Sequence, residues 1–354
     1  MKILRIYPKL PPNAGGMEIH IQELTHYQQQ NGHQVRMAFN SGDKINSNDL
    51  KLLPRLKIMD LSPRFLWIIL FNFSLIFVLL FKKVRVDILH IHGDWSNLVF
   101  MGIIKRLTSA RKIVFSIHGQ IEHYQGIKKQ LLFHLLKKTD LIFCTGYESY
   151  QKVKDKRPTI FQPSGIQRVF LQDCPAEPFP DFTIVTVANL EKVKNLDLVI
   201  QIAAELPDCS FIIIGNGTEE SRLKDLANSL SLSNLKFAGF QKSGKIADIL
   251  CKAHIYLLTS EKEGTSTSIL EAMSCGLPII CSPAGGIKKI IKEQINGFVI
   301  DSYSDPAQYV KMIKMLKNDK ELHQQIKKNN IMMRTEFSWS NVAANITKLM
   351  HEEN

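Results

Sequence analysis

No Asp-x-Asp pair occurs anywhere in the 354 residues, so the sequence offers no obvious paired-carboxylate seat for a Mg²⁺ or Mn²⁺ ion. CxxC pairs are absent as well. The six cysteines, Cys144, Cys174, Cys209, Cys251, Cys275 and Cys281, are scattered singly, most of them in apolar runs where free thiols pack as small hydrophobes. That usage fits a reducing, cytoplasmic compartment. No Pro/Gly/Ser-rich tract marks a disordered tail. The opening MKILRIYPKL breaks into Pro-Pro-Asn before an apolar run of signal-peptide length forms, so no secretion signal is expected. Negative charge is also scarce: 33 Asp and Glu against 45 Lys and Arg leave a formal charge of +12, which implies an anionic partner. Nucleic acid is the weakest choice, because the basic residues lack interleaved aromatics or zinc-finger spacing. An acidic membrane surface and a phosphorylated small molecule are the stronger ones.

The length suits two α/β domains better than one core. Lys2 to Tyr7, Val35 to Phe39, Asp87 to His92, Ile113 to His118 and Leu141 to Thr145 read as strands separated by helical-period segments, an alternation that predicts a doubly wound parallel sheet. The pattern restarts at Phe182 to Ala188, Ser210 to Gly215, Leu235 to Ala238, Ile255 to Thr259 and Pro278 to Ser282. Between the two series Pro163, Gly165, Pro175, Pro178 and Pro180 cluster as breakers. The expected division is therefore residues 1–170 and 171–337, with a final amphipathic helix over 338–354. Ligands of doubly wound sheets bind at the C-terminal strand ends, which places the expected active site in a cleft where the two domains face each other.

Residues 65–81, FLWIILFNFSLIFVLLF, are almost continuously apolar and are flanked by Arg64, Lys82, Lys83 and Arg85. About 20 apolar residues are needed to cross a bilayer, and Asn72 and Ser74 interrupt this run, so a buried helix or one lying in the membrane interface is expected instead of a span.

The densest chemical signal is Glu263-Gly264-Thr265-Ser266-Thr267-Ser268-Ile269-Leu270-Glu271-Ala272-Met273, after the strand-like IYLLTS. A loop leading into a helix presents free N–H groups and the positive dipole end to an anion. Gly264 permits close backbone approach, and Ser266, Thr267 and Ser268 can cap the helix or donate hydroxyls. The two carboxylates can meet one ligand at two heights. Taken alone, the spacing also suits a solvated loop glutamate before an ordinary capped helix.

The stretch SEKEGTSTSILEAMSCGLPIICSPAGGIKKII closely resembles the donor-site signature of glycosyltransferase family four. That resemblance implies a GT-B fold of two Rossmann-like domains and transfer of a sugar from a nucleotide diphosphate with retention of anomeric configuration. It assigns Glu263 to the transferred sugar, Glu271 to the ribose and the backbone from Gly264 to Thr267 to the sugar and diphosphate pocket. PPNAGGMEIHIQELTHYQQQNGHQV is similar to the family's opening Gly-Gly loop, so Gly15 and Gly16 approach donor phosphate or acceptor. Of the two strands ending in His-Gly, the second carries His118, which the family places beside the donor sugar. A strand-end histidine on its own is more often satisfied by core hydrogen bonds. His90 and His92 invite a zinc hypothesis, but as strand neighbours they are expected to point to opposite faces, and no third ligand stands at useful spacing. No metal is expected there.

VANLEKVKNLDLVIQ matches the segment in which the family's Arg and Lys neutralise the diphosphate. Here the Arg position is Asn189 and Lys194 is kept, so the leaving group depends more on Lys194, the helix N-terminus and Lys192. The turn GNG also suggests a dinucleotide fingerprint, but its third glycine and acidic ribose partner are missing. No cofactor and no metal is expected beside the nucleotide sugar. The acceptor is expected to be a hydroxyl, lipid-linked or on a polysaccharide, at the inner face of a membrane. A non-catalytic nucleotide-sugar binder, a GT-B epimerase and a phosphorylase are the alternatives.

Overall fold

The structure is a computed structural model that describes residues 1–10, 16–52, 64–93, 95–118, 121, 125–174 and 177–352. It resolves into two compact units, Met1–Ser164 with Trp339–Asn354, and Gly165–Ser338. The division falls a few residues before the expected one near 170. Ile166 is already tied to the second unit, since its N–H donates to the Phe337 carbonyl at 2.9 Å and Phe170 is buried among that unit's side chains.

The first unit is a parallel sheet of seven strands: β1 Lys2–Ile6, β2 Gln34–Phe39, β3 Leu50–Lys51, β4 Ile88–His92, β5 Lys112–Ile117, β6 Leu141–Cys144 and β7 Thr159–Phe161, in the order β3-β2-β1-β4-β5-β6-β7. The second has six: β8 Thr183–Val187, β9 Ser210–Ile214, β10 Leu235–Gly239, β11 Ile255–Leu258, β12 Ile279–Cys281 and β13 Gly297–Val299, in the order β10-β9-β8-β11-β12-β13. Both are doubly wound α/β sheets of the GT-B class. Strands such as β11, IYLL, are buried throughout, because helices on both faces of a parallel sheet leave no wet side and so select continuous apolar sequence.

Each order reverses once, between β1 and β4 in the first unit and between β8 and β11 in the second. The loops that leave adjacent strands at such a reversal diverge and open a crevice at their C-terminal ends. β4 itself carries His90 and His92 and the segment after β5 carries His118, while the segments after β8 and β11 carry Lys194 and Glu263.

The last helix, Trp339–His351, belongs to the first unit, where Trp339, Val342, Ala343, Ile346 and Met350 pack with Ile3, Leu24, Val35 and Val114. The apolar segment is the helix Arg64–Phe81. One stripe of it, Ile68, Phe71, Leu75 and Leu79, is buried with i, i+3, i+7, i+11 spacing. Leu70, Phe73, Phe77, Leu80 and Phe81 are exposed. Among the described residues no helix is long and apolar enough to cross a membrane.

The expectation of free, reduced cysteines is corrected for two of the six. Cys174 and Cys251, separated by 77 positions, are joined in a disulfide. The fold brings them together from the segment after the turn Arg168–Leu171 and the end of the helix Ser243–Lys252, a juxtaposition with no local spacing to announce it.

Candidate functional site

In the second unit, the turn after β8 and the loop after β11 meet through one ion pair, Lys194 Nζ to Glu263 Oε1 at 2.7 Å. Both ends are anchored. Lys194 is the last residue of a short helical turn closed by Asn195 in the left-handed conformation, φ 51°, whose side-chain amide donates to the Tyr303 carbonyl at 2.7 Å. The Thr259 hydroxyl donates to the Lys194 and Asn195 carbonyls at 3.1 and 3.0 Å. The Glu261 N–H donates to the Val193 carbonyl at 2.9 Å. Glu263 is 8 % exposed, so its carboxylate is held out of bulk water with Lys194 as its counter-charge.

Beyond Glu263 the chain enters the helix Thr267–Ser274 with Ser266 as its N-cap residue, but the Ser266 side chain makes no capping hydrogen bond. Its hydroxyl lies 2.9 Å from that of Ser268, and Ser268 in turn accepts from the Tyr256 hydroxyl at 2.6 Å. Of the two uses foreseen for these hydroxyls, capping is therefore not the one Ser266 serves. A helix start whose amides are not taken by its own cap is suited to an incoming anion. Thr267 is exposed, whereas Gly264 and Thr265 are half-buried.

The loop is held in place by a glycine of the signature-like stretch to which the resemblance assigns no role. Gly285, at φ +58°, passes so close that a Cβ on it would lie 2.0 Å from the Glu263 carbonyl oxygen. Gly285→Ala should destabilise the unit by about 1–3 kcal/mol and displace the loop, read as a lower thermal midpoint together with a raised donor KM.

Asn189 is exposed in the segment after β8. The Ala188 and Leu190 backbone is clamped by the Gly215-x-Gly217 turn, where Cβ atoms would lie 1.9 Å from the Ala188 oxygen and 2.3 Å from the Leu190 oxygen. The GNG turn thus has a steric task inside the protein: it fixes the segment that carries positions 189 to 194.

Glu271, on the same helix, is half-buried, and burial pushes its carboxyl up to about 8. A folded-state pKa raised above the ordinary value near 4.5 means that the native chain binds the proton more tightly than the unfolded one. Its contribution to stability is full below pH 4.5 and is lost as pH rises towards 8. Glu271→Gln should therefore leave stability at pH 5 nearly unchanged and raise it by about 1–4 kcal/mol at pH 9, seen in thermal melts of the ligand-free protein.

In the first unit, His118 lies past the end of β5 with its Nε2 2.9 Å from His92 Nδ1. Its ring is edge-on to His20 at 4.5 Å between centroids. His20 Nδ1 is 2.8 Å from the Ser164 hydroxyl, and the His20 ring also stands edge-on to Trp339 at 5.0 Å. Burial brings His118 down to about 4. Burial first, and then neighbours including His118 and Arg5, holds His20, His90 and His92 well below the usual histidine range. The cluster is neutral at physiological pH. Arg5 beneath it is fully buried and donates to Thr25 and Gln28.

The expectation that His90 and His92 face opposite ways is also corrected: their ring centroids are 4.0 Å apart, because positions i and i+2 of a strand share a face. Among the described residues His90 is not part of a ligand set, but a different trio exists in space: nitrogens of His20, His92 and His118 lie within 4.8 Å of one another and could hold a metal ion. The signal for His20 is its place one turn into the helix Gly16–Gln30. Gly16 opens that helix, exposed, with nothing within 4 Å of a Cβ built on it. Gly15 lies outside the described residues.

Two family profiles match the chain, "Glycosyltransferase Family 4" over residues 14–159 and "Glycosyl transferases group 1" over residues 175–333. One subunit of the human phosphatidylinositol N-acetylglucosaminyltransferase is 28% identical over 304 residues, covering 80% of this chain but only 62% of its own length. N-acetyl-alpha-D-glucosaminyl L-malate synthase of Bacillus anthracis is 25% identical over 68% of each chain. Among solved structures, Anabaena HepE in complex with UDP superposes with a TM-score of 0.77 over 99% of both chains at 17% identity. Sucrose-phosphate synthase from Thermosynechococcus elongatus gives 0.76 over 98% of both, also at 17%. With one profile on each half and the GT-B architecture throughout, the chain belongs to glycosyltransferase family four.

Proposed function

We propose that this glycosyltransferase is retaining and metal-independent, and that the second unit holds the diphosphate of a nucleotide sugar at the start of the helix Thr267–Ser274. The observation that carries the proposal is the Lys194–Glu263 pair beside an N-terminus not capped by its own serine. As the C1–phosphate bond lengthens, negative charge grows on the diphosphate, where the amides and Lys194 offset it without reorganising. Positive charge grows on the sugar ring, which Glu263 screens and His118 helps to position. Glu271 takes the ribose hydroxyls, with Gly264 to Thr267 lining the pocket and Gly15 and Gly16 approaching donor or acceptor. No protein nucleophile is invoked; the departing phosphate deprotonates the acceptor hydroxyl on the same face.

Two relatives named for N-acetylglucosaminyl transfer make UDP-N-acetylglucosamine the first donor to test, ahead of other UDP-, GDP-, ADP- and dTDP-sugars in a thermal-shift screen. The product of a reaction run in chelator is then read by NMR. An α-linked product from an α-linked donor is expected; a β-linked product, or activity that needs an added divalent ion, refutes the mechanism. A chain that only binds nucleotide sugar would shift in the screen and give no product.

The acceptor is proposed to be lipid-linked. On the helix Arg64–Phe81 the side chains of Phe73, Phe77, Leu80 and Phe81 are 55–75% exposed, and Lys82 and Lys83 follow directly. Aromatic and aliphatic side chains next to lysines favour the interface of an anionic bilayer. The protein should sediment with phosphatidylserine vesicles, and Phe77→Glu with Phe81→Glu should leave it in the supernatant. Equal sedimentation of both proteins contradicts the membrane assignment.

A further inference from the structure

Away from the candidate site, three sulfurs converge from separate parts of the second unit. Cys174 follows the turn Arg168–Leu171, Cys251 stands in the last turn of the helix Ser243–Lys252, and Cys275 is the C-cap of the helix Thr267–Ser274. Their Sγ atoms all lie within 4.8 Å of one another. Cys174 and Cys251 are disulfide-bonded and Cys275 is a buried thiol beside that bond. A disulfide needs only two cysteines, and the third has no part in it.

We propose that the reduced chain binds one thiophilic divalent cation, such as Zn²⁺, through Cys174, Cys251 and Cys275, and that the disulfide is the oxidised, metal-free state of the same site. Zn–S bonds of about 2.3 Å in a tetrahedral set place the sulfurs roughly 3.8 Å apart, inside the spread already present. Opening the disulfide and seating the ion therefore asks for side-chain shifts without refolding. Cys275 is 4% exposed while Cys174 and Cys251 are half-buried, so the three ligands form a floor and leave the fourth position towards solvent, for water. Burial and the nearby Glu271 hold the Cys275 thiol protonated in the metal-free state, with Arg334, which is paired with Asp173 at 2.7 Å, acting the other way.

In the first step a dithiol reductant supplies two electrons and two protons to the Cys174–Cys251 bond and itself becomes a disulfide. The cation then displaces three thiol protons and forms three metal–sulfur bonds, leaving one net negative charge. The bound ion would tie the C-terminal end of the helix that opens at Thr267 to the helix Ser243–Lys252.

The test titrates the reduced full-length chain with Co²⁺ and then Zn²⁺ without oxygen. A thiolate-to-cobalt charge-transfer band saturating at about one equivalent and bleached by Zn²⁺ is expected. Cys251→Ser and Cys275→Ala should each weaken Co²⁺ binding roughly tenfold or more, and Cys209→Ser should not. Oxidised glutathione should abolish the band as the disulfide reforms. The band reports sulfur ligation alone, so cobalt taken up by the histidines does not mimic it. Absence of the band in the reduced wild type overturns the proposal, as does a band that survives in both Cys251→Ser and Cys275→Ala. Cys251, being half-buried, keeps the test valid should substitution of buried Cys275 impair folding.

Discussion

Lys194→Ala is expected to lower kcat by about 10²–10³-fold and also to lower the thermal midpoint, because the buried Glu263 carboxylate loses its counter-charge. Loss of one preorganised electrostatic donor to a developing anion costs about 2.7–4 kcal/mol of transition-state stabilisation in comparable sites. Here the cost falls at the upper end of that range, because Asn189 stands where the family pattern has an arginine. No guanidinium at that position shares the leaving-group charge. Lys192 is exposed on the same short turn and is too well solvated to substitute fully. The effect should fall on kcat more than on donor KM, since diphosphate charge is greatest in the transition state. Asn189→Arg in the Lys194→Ala background should recover part of the rate. Steady-state kinetics with the donor found by thermal shift would show it, and a Lys194→Ala enzyme with unchanged kcat would remove Lys194 from the mechanism.

Glu263→Gln is expected to be as damaging, with a loss of about 10²–10³-fold in kcat. The substitution keeps the size of the side chain and its capacity to accept a hydrogen bond from Lys194, but removes the negative charge that screens an oxocarbenium-like ring. It also separates the two functional alternatives. In a transferase, donor still binds to Glu263→Gln while turnover collapses. In a protein that merely binds sugar nucleotides, wild type and variant both lack turnover. The Lys194–Glu263 pair at 2.7 Å makes the two substitutions interdependent. The double variant should therefore lose less than the product of the two single losses.

Much of the second sheet is legible in the sequence because buried parallel strands such as β8, TIVTV, and β9, SFIII, are short β-branched runs between turn residues. Strands β3, β7 and β13, of two or three residues each, are too short to carry a period, and their pairing comes from tertiary context. The loop and helix around Glu263, Lys194 and Glu271 can be located from motif resemblance, as can His118. What surrounds them cannot: the approach of Gly285 to the Glu263 carbonyl, the contacts of His20 and His92 with His118, and the three-sulfur cluster each join positions 20 or more residues apart. The face shared by His90 and His92 is legible in principle, since strand period two puts i and i+2 together, and the expectation of opposite faces misapplied that period.

The most direct test of the central claim is a crystal structure of the chain with its nucleotide-sugar donor, grown with magnesium present. Diphosphate oxygens are expected on the backbone amides of Thr267 and Ser268 and on Lys194 Nζ, with no ion between protein and phosphate. A divalent cation bridging the diphosphate, or a donor bound away from the start of the helix Thr267–Ser274, would contradict that claim.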